Sequence, residues 1–435
     1  MLQLPKLFFT RLVFIIVSVY CYTAGLFSAQ AQTIQSNSPY SKIGVGTVQP
    51  TQFAVNRALG GMAAAYHSPL NINHNNPASY AHLMLTTYEV GVHGQGVWLQ
   101  SGDVTAKSGT GNLSYMAFAF PVTKWWTTGF GLLPYSRLNY DIERFIIAPE
   151  TTTDTTRYRF LGRGQFYQVY FGNGFKYKNI AIGANLAYLF GTETSEVRSW
   201  TPFLTNSYGN QRLEYLAPKG FLYDFGAQYD IKLPRDLRLT LGISGRPAIK
   251  LQATRDFIWR RVEVYSNGSV TVRDTVTQSD SQDAPVQMPS RLTGGISIGK
   301  SGYWLFGIDL NTEKWADFRY LGQADPLLTN EMGIKMGVEV TPDPRTLTKM
   351  WRATHYRFGF SYQTGRLYID EQALKTLSFS FGVGVPIRKL SSRINLSLEA
   401  GQTGKSEGNI IRETFFVGTV GLSLNDRWFI KPKFD

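Results

Sequence analysis

The sequence alternates, over many short segments, between large apolar residues and small or polar ones. Residues 377–385 place Leu, Phe, Phe, Val and Val on one face and serine or glycine on the other. The same period of two recurs in 115–120, 180–188 and 394–400. This alternation indicates β-strands with two unlike faces. Beyond residue 31 no apolar run is long enough for a membrane-spanning helix, so that class of membrane protein is excluded.

The composition favours a membrane barrel over a soluble β-sandwich. Only 17% of the 435 residues are charged and 14% are aromatic, with 42 glycines, whereas soluble domains have about 25% charged residues. The face opposite the large apolar residues is mostly Gly, Ser, Ala and Asn rather than Lys or Glu. Apolar residues toward lipid, small ones inward and aromatics at the interfaces are typical of a transmembrane β-barrel.

We predict an all-β fold, a 14-stranded antiparallel barrel, because fourteen alternating segments follow one another along the chain, an even number as bacterial single-chain barrels require. Short turns alternate with longer loops, as on the periplasmic and extracellular sides of such barrels. The longest loop, 253–287, contains an Asn-Gly hairpin signal at 266–268. The longer loops are predicted at 101–110, 141–157, 199–211, 253–287, 319–330, 366–374 and 403–410. The strands are predicted at 84–99, 111–121, 125–140, 158–175, 179–198, 212–230, 237–252, 288–300, 303–318, 331–341, 353–367, 375–386, 392–402 and 411–429.

The first 31 residues have the pattern of a secretory signal peptide. Lys6 and Arg11 precede a short apolar run, and Ala29-Gln30-Ala31 forms a cleavage site before Gln32. An N-terminal membrane anchor is the alternative interpretation. Cys21, the only cysteine, would be removed with the signal. We therefore expect three parts: a signal peptide at 1–31, a second segment at 32–83 and an outer-membrane barrel at 84–435.

The second segment, 32–83, lacks alternation and is rich in Asn, Ala, Gly and Pro. A barrel of fourteen strands leaves a wide interior that must be filled or plugged. We therefore predict that this segment folds into the barrel as a luminal hatch.

Two motifs in the hatch resemble those of a known family. They are the run Arg57 to Ala63, which contains Gly60 and Gly61, and Asn76-Pro77-Ala78, which leads into the first strand. With 38–46 ahead of them, these motifs are similar to the FadL-like outer-membrane transport proteins of Bacteroidota. The resemblance covers the mature chain in layout and residues 39–85 in specific positions.

The resemblance implies passive uptake of hydrophobic compounds such as long-chain fatty acids across a Gram-negative outer membrane. It also implies lateral exit through the barrel wall at the third strand. That strand contains Gly129, Gly131 and Pro134, residues that weaken ladder pairing. A bulge at the extracellular rim is the equally open alternative for this motif.

The predicted strands carry few inward charges, which favours apolar cargo or a closed structural barrel. Our second hypothesis is accordingly a non-transporting subunit of an outer-membrane secretion or assembly complex. Basic residues exceed acidic ones by 13 but are scattered, so we expect contact with outer-membrane lipid and lipopolysaccharide rather than nucleic acid. The expected partners are a hydrophobic small molecule and an outer-membrane protein complex.

Enzyme and metal motifs are weak. The G-x-S-x-G match at 295–299 lies in a predicted strand, without the strand–turn–helix context of a nucleophile elbow. His93 and His355 would be the candidates for a Ser–His pair on the barrel wall. The hatch histidines His67 and His74 are more easily explained as hydrogen-bonded polar groups than as metal ligands. We predict no enzyme activity, no catalytic residue, no metal and no cofactor.

Overall fold

The computed structural model describes residues 38–49, 51–147, 155–202, 208–265, 268–346, 348–387, 391–405, 408 and 410–428. The predicted signal peptide lies outside these residues. Most of the described chain forms one antiparallel barrel, closed by pairing of the last strand with the first. The barrel strands are β1 (Thr86–Ser101), β2 (Val104–Pro121), β3 (Trp126–Ile147), β4 (Thr155–Tyr177), β5 (Ile180–Trp200), β6 (Gly209–Leu233), β7 (Leu237–Arg246), β8 (Arg291–Lys300), β9 (Trp304–Glu313), β10 (Glu331–Val340), β11 (His355–Ile369), β12 (Gln372–Pro386), β13 (Arg393–Thr403) and β14 (Arg412–Asp426).

The predicted 14-stranded barrel is confirmed, and every predicted strand has a counterpart. Several strands are longer than expected: β3 to β6 have 22, 23, 21 and 25 residues, about twice the 9–11 that cross a bilayer. Their far ends therefore project beyond the membrane on the side of the long loops. By the loop asymmetry of such barrels this is the extracellular side.

Two predicted loops, 101–110 and 366–374, are wrong. β1 and β2 are joined directly at 102–103, and β11 and β12 at 370–371. Gly102, Asp370 and Glu371 have positive φ angles of 56°, 49° and 61°, as tight hairpin turns require. These stretches lack the apolar–polar alternation because the strand ends there lie beyond the membrane, where the outward-facing residues are polar. The sequence pattern therefore predicted loops.

The long connection 247–290 forms an extracellular hairpin, as the Asn-Gly signal predicted. Its strands, Ile249–Val264 and Val270–Asp283, pair with each other, and the first continues the wall beside β6. Smaller extracellular elements are the strands Val286–Met288, Arg319–Tyr320 and Gln323–Ala324 and a 3₁₀ turn at Trp315–Asp317.

The outer surface has the pattern of a lipid-facing wall. Large apolar side chains are exposed on one face of each strand, among them Phe171, Ile182, Phe225, Leu241, Ile296, Phe306, Phe358, Phe379, Leu398 and Phe416. Exposed aromatic residues mark the rim of the short turns: Trp125, Tyr177, Trp304, Trp351 and Trp428. This arrangement is an apolar band with an aromatic girdle at the interface.

The hatch fills the lumen with short elements. A 3₁₀ helix at Pro39–Lys42 is followed by a two-residue strand, Thr47–Val48, then helix α1 (Ala54–Ala58) and a second 3₁₀ helix, Pro77–His82. Helix α2 (Met350–Ala353) lies in the connection between β10 and β11. Within the described residues, none of the helices has the length and hydropathy of a membrane-crossing helix.

Candidate functional site: hatch, lumen and seam

Asn76, Pro77 and Ala78 form the N-terminal cap of the second 3₁₀ helix. The Asn76 side-chain oxygen accepts a hydrogen bond from the Ala78 backbone N–H (3.1 Å), and its amide donates to the Ala64 carbonyl (2.6 Å). Pro77 occupies the first helical turn, where its missing N–H is harmless. Asn76 is fully buried. The motif thus ties two stretches of the hatch to each other.

Gly60 and Gly61 end the first helical stretch of the hatch. Their φ angles, 66° and 84°, are positive, a conformation that L side chains rarely adopt. A side chain at Gly60 would also collide with the backbone of Phe360 on β11. These glycines let the hatch turn while its backbone touches the wall.

Nine consecutive strands, β4 to β12, each contribute a glycine beneath the hatch. At each of them a Cβ atom would stand too close to a hatch atom or, at Gly295, to Oδ1 of Asp309, whose other oxygen binds the hatch. We call this set the glycine belt: Gly174, Gly183, Gly226, Gly242, Gly295, Gly307, Gly337, Gly359 and Gly382. The small inward face predicted from the sequence is therefore a seat shaped to the hatch backbone.

Polar side chains of the wall bind the hatch backbone above this seat. One carboxylate oxygen of Asp309 accepts hydrogen bonds from the backbone N–H groups of Ala63 and Ala64, at 2.7 and 2.8 Å. Gln228 donates to the Ala64 carbonyl (2.9 Å), and Ser297 donates to the Ala65 carbonyl (2.8 Å). Because buried backbone groups must be paired, these contacts hold the hatch in one position.

A cavity of about 440 Å³ lies between the hatch and the upper wall. Its lining includes apolar side chains such as Tyr135, Leu374 and Phe415. The expectation of few inward charges is wrong, because the lining also carries many ionisable groups. They are Arg57, Arg137, Arg246, Arg291, Lys335 and Arg366 together with Asp309, Glu313, Glu331, Glu399 and Glu413. The lining of the cavity is therefore mixed, with charged side chains among the apolar ones.

Part of this charge is fixed in ion pairs. Arg246 binds Asp224 with two parallel hydrogen bonds of 2.9 and 2.7 Å, and Arg291 adds a third at 3.1 Å. Arg57 of the hatch lies 3.8 Å from Glu399 of β13. Bidentate arginine–carboxylate pairs are geometrically well defined. The cavity therefore has a polar wall that is organised before any ligand arrives.

The wall is incomplete between β2 and β3. These strands pair over six residue pairs only, from Pro121–Thr127 to Met116–Leu132. Beyond Leu132 the ladder between β2 and β3 stops, although each strand continues to pair with its other neighbour up to the extracellular side. We call this unpaired stretch, 104–115 against 133–147, the seam.

The N-terminal part of the hatch closes the seam from inside. Thr47 and Val48 pair with Arg137 and Ser136 of β3, and the Gln49 N–H donates to the Tyr135 carbonyl (2.8 Å). Residues 47–49 also line the cavity, as do Arg137 and, across the seam, His93 of β1. Residues 47–49 of the hatch therefore lie against the β3 side of the seam, at the edge of the cavity.

Of the three residues predicted to open the wall, two lie in the paired part of the β2–β3 ladder and one borders the seam. Gly129 and Gly131 pair normally with Ala119 and Ala117. Pro134 lies two positions beyond the last β2–β3 pair, next to a bulge in the β3–β4 ladder between Pro134 and Ser136. A lateral opening remains a proposal, and Pro134 is the member of the predicted set that borders the seam.

The candidates for catalysis have other contacts. Ser297, in the G-x-S-x-G match, lies within β8 and binds the hatch. His93 and Ser114 are hydrogen-bonded at 2.7 Å. Ser114 is the extra residue of a bulge between β1 and β2, and His93 lines the cavity. His355 binds Thr341 (2.9 Å) and lies 3.2 Å from Glu339.

We predict that His74 makes the hatch sensitive to acid. Burial is the largest cause that lowers its pKa from 6.5 to about 4, and its two ring nitrogens have no hydrogen-bond partner. Since an unfolded hatch binds the proton more readily, stability present above pH 6.5 is lost as the pH falls toward 4. We expect about 2–3 kcal/mol of hatch stability to disappear between pH 7 and pH 4.5.

Amide hydrogen exchange of residues 71–81 in detergent measures this loss. A His74→Phe variant, which cannot be protonated, should lose much less protection over the same pH range. Equal acid sensitivity in both proteins would assign the effect to other groups.

Comparisons with known proteins agree with this architecture. The model of a family described as BamG matches residues 12–435, whereas no curated protein matches. Among solved structures, the Pseudomonas putida toluene transporter TodX is 16% identical (TM-score 0.55), over 87% of this chain and 98% of that one. A Pseudomonas aeruginosa FadL homologue is 12% identical (TM-score 0.55), over 88% of this chain and 98% of that one. The CymD monoaromatic hydrocarbon channel is 14% identical (TM-score 0.53), also over 88% of this chain and 98% of that one. At such identities the likeness shows the fold alone.

Proposed function

The chain belongs to the BamG family, and from the geometry of its barrel we propose passive uptake of hydrophobic compounds across the outer membrane. The proposal includes no catalytic step. The observation that carries it is the seam between β2 and β3, which borders the cavity and whose β3 side is paired with a two-residue hatch strand. The hydrocarbon channels TodX and CymD share the fold, which supports the same class of cargo.

The proposed route enters the cavity from the extracellular side and leaves sideways through the seam. The direct path downward is blocked, because the hatch sits on the glycine belt and is bound by Asp309 and Gln228. Moving the hatch strand breaks two residues of pairing, whereas moving the whole hatch breaks all of its contacts with the wall. Exit at the lower end of the seam, beside Pro134, would deliver an apolar chain into the outer leaflet, because only about the first 9–11 residues of β3 lie within the bilayer.

The charges of the cavity favour an amphiphile such as a long-chain fatty acid. A carboxylate head can pair with the arginines of the lining, among them Arg137 beside the seam. The apolar tail can lie along Val48, Tyr135 and Phe415. A hydrocarbon without a head group would add no polar contact to this lining.

A disulfide between the hatch strand and β3 tests the route. Val48 and Ser136 are direct antiparallel partners, a separation that suits a disulfide. In the oxidised Val48→Cys/Ser136→Cys protein, uptake of a fluorescent long-chain fatty acid into proteoliposomes should fall to the level of empty liposomes. Dithiothreitol should restore it.

The matched control is Phe118→Cys/Phe130→Cys, a cross-strand pair in the intact part of the same ladder. Its uptake should be the same when oxidised and reduced. Undiminished uptake by the locked hatch strand would contradict lateral exit at the seam.

The second candidate is a non-transporting barrel subunit of an outer-membrane secretion or assembly complex. The close seating of the hatch on nine strands supports it, since that fit seals the lumen. Absence of fatty-acid uptake by the reduced protein, with recovery of a stable complex from native membranes, would favour this candidate.

A further inference from the structure

A cluster of nitrogen and oxygen donors joins the hatch to the wall at the rim of the short turns. His67 and His82 come from the hatch, and Asp230 comes from β6. One donor atom from each lies within 4.8 Å of the other two. All three side chains are largely buried, with exposed fractions of 11%, 5% and 9%.

The distances match the coordination sphere of a tetrahedral metal. Zinc bonds of about 2.0–2.1 Å place neighbouring donor atoms about 3.4 Å apart. His67 Nε2 lies 3.2 Å from one Asp230 oxygen, and His82 Nδ1 lies 3.8 Å from the other. The second distance is too long for a hydrogen bond but fits two ligands of one cation.

The neighbourhood prepares these donors. The two imidazole rings are stacked, with centroids 3.7 Å apart and an interplanar angle of 13°, which brings both beside the same carboxylate; a rotation of one ring is needed to aim both nitrogens at one cation. Thr240 donates to Asp230 Oδ1 at 2.7 Å, which orients the carboxylate as outer-shell partners do. Two imidazoles and one carboxylate form a ligand set of the kind that zinc prefers.

One cation already approaches this position. Lys176 Nζ lies 3.1 Å from His82 Nδ1 and 3.8 Å from Asp230 Oδ2. Its side chain is the most exposed of the group, at 30%, and its flexible stem can carry the ammonium into solvent. The lysine therefore occupies the place of a metal and competes with it.

We propose that His67, His82 and Asp230 bind a zinc-like divalent cation that fastens the hatch to β6. The sequence predicted no metal here, because it paired His67 with His74, whereas the fold brings His67 beside His82. His67 and His82 are the two ends of the segment 67–82, which contains Asn76-Pro77-Ala78. The cation would therefore close this segment into a loop and, through Asp230, hold it to the wall. This role goes beyond the proposed transport function.

Cobalt titration of the purified full chain in detergent tests the site, because tetrahedral Co²⁺ absorbs visibly and zinc displaces it. We expect one displaceable Co²⁺ per chain and at least tenfold weaker binding in His67→Gln and in His82→Gln. Lys176→Met should bind several-fold more tightly, since it removes the competing charge and no ligand. His74→Gln, a hatch histidine outside the cluster, should bind as the wild type does.

Absence of Co²⁺ binding in both the wild type and Lys176→Met would overturn the proposal, as would binding unaffected by either histidine change. Zinc should also slow amide exchange at residues 67–82 in the wild type but not in His82→Gln. Because Lys176→Met leaves all three ligands in place, the test stands even if a histidine variant fails to fold.

Discussion

Replacing Gly359 by valine should unseat the hatch and open the barrel to ions. A Cβ atom at this position would collide with the Gly60 backbone nitrogen, the Leu59 backbone and the Ser380 hydroxyl. Overpacking costs about 1–3 kcal/mol, and more against rigid neighbours. At about 1.4 kcal/mol per tenfold, the open time of the lumen in planar bilayers should rise by about tenfold or more.

Gly294→Val is the matched control. Gly294 lies in β8 next to the belt glycine Gly295, and a Cβ there meets nothing within 4 Å. Like Gly359→Val, this variant replaces a strand glycine by valine, but it creates no steric collision. Its conductance should therefore remain at the wild-type level. Equal conductance in Gly359→Val and the wild type would show that the belt does not seat the hatch.

Replacing Asp309 by alanine should release the hatch in a different way. The change removes the acceptor for the Ala63 and Ala64 N–H groups and leaves both buried. An unsatisfied buried donor costs about 1–3 kcal/mol, so the hatch should lose about 2–6 kcal/mol of docking free energy. Amide exchange at Ala63 and Ala64 and ion conductance should both increase.

Asp309→Asn separates this hydrogen-bonding role from charge. The amide keeps one acceptor oxygen and should retain much of the protection at Ala63 and Ala64. Asp236→Ala, at a turn position where the side chain is 90% exposed, should change neither measurement. Slow exchange in Asp309→Ala would contradict the assigned contact.

The alternation of the sequence predicts the barrel because the pattern of apolar and small residues within each strand shows which face is turned to lipid. The same local pattern does not predict the tight turn at 370–371, because the strands that it joins continue beyond the membrane with polar residues. It also misses the charged lumen, since Asp224, Arg246 and Arg291 stand singly on three different strands and meet only after closure.

The site is predictable in part for the same reason. Asn76-Pro77-Ala78 and Gly60-Gly61 are contiguous and carry turn and cap signals, so the sequence places them in the hatch. Pro134 predicts weak pairing, but the extent of the seam depends on the register of β2 against β3. The cluster of His67, His82 and Asp230 joins residues far apart in sequence, and no spacing rule reveals it.

Photo-crosslinking tests the central claim, that an amphiphile leaves through the seam. A diazirine-labelled long-chain fatty acid is added to the barrel in proteoliposomes and its adducts are mapped by mass spectrometry. We predict adducts at 47–49 and 133–139, and their loss from 133–139 in the oxidised Val48→Cys/Ser136→Cys protein. Adducts confined to the outer apolar band, unchanged by oxidation, would contradict the account.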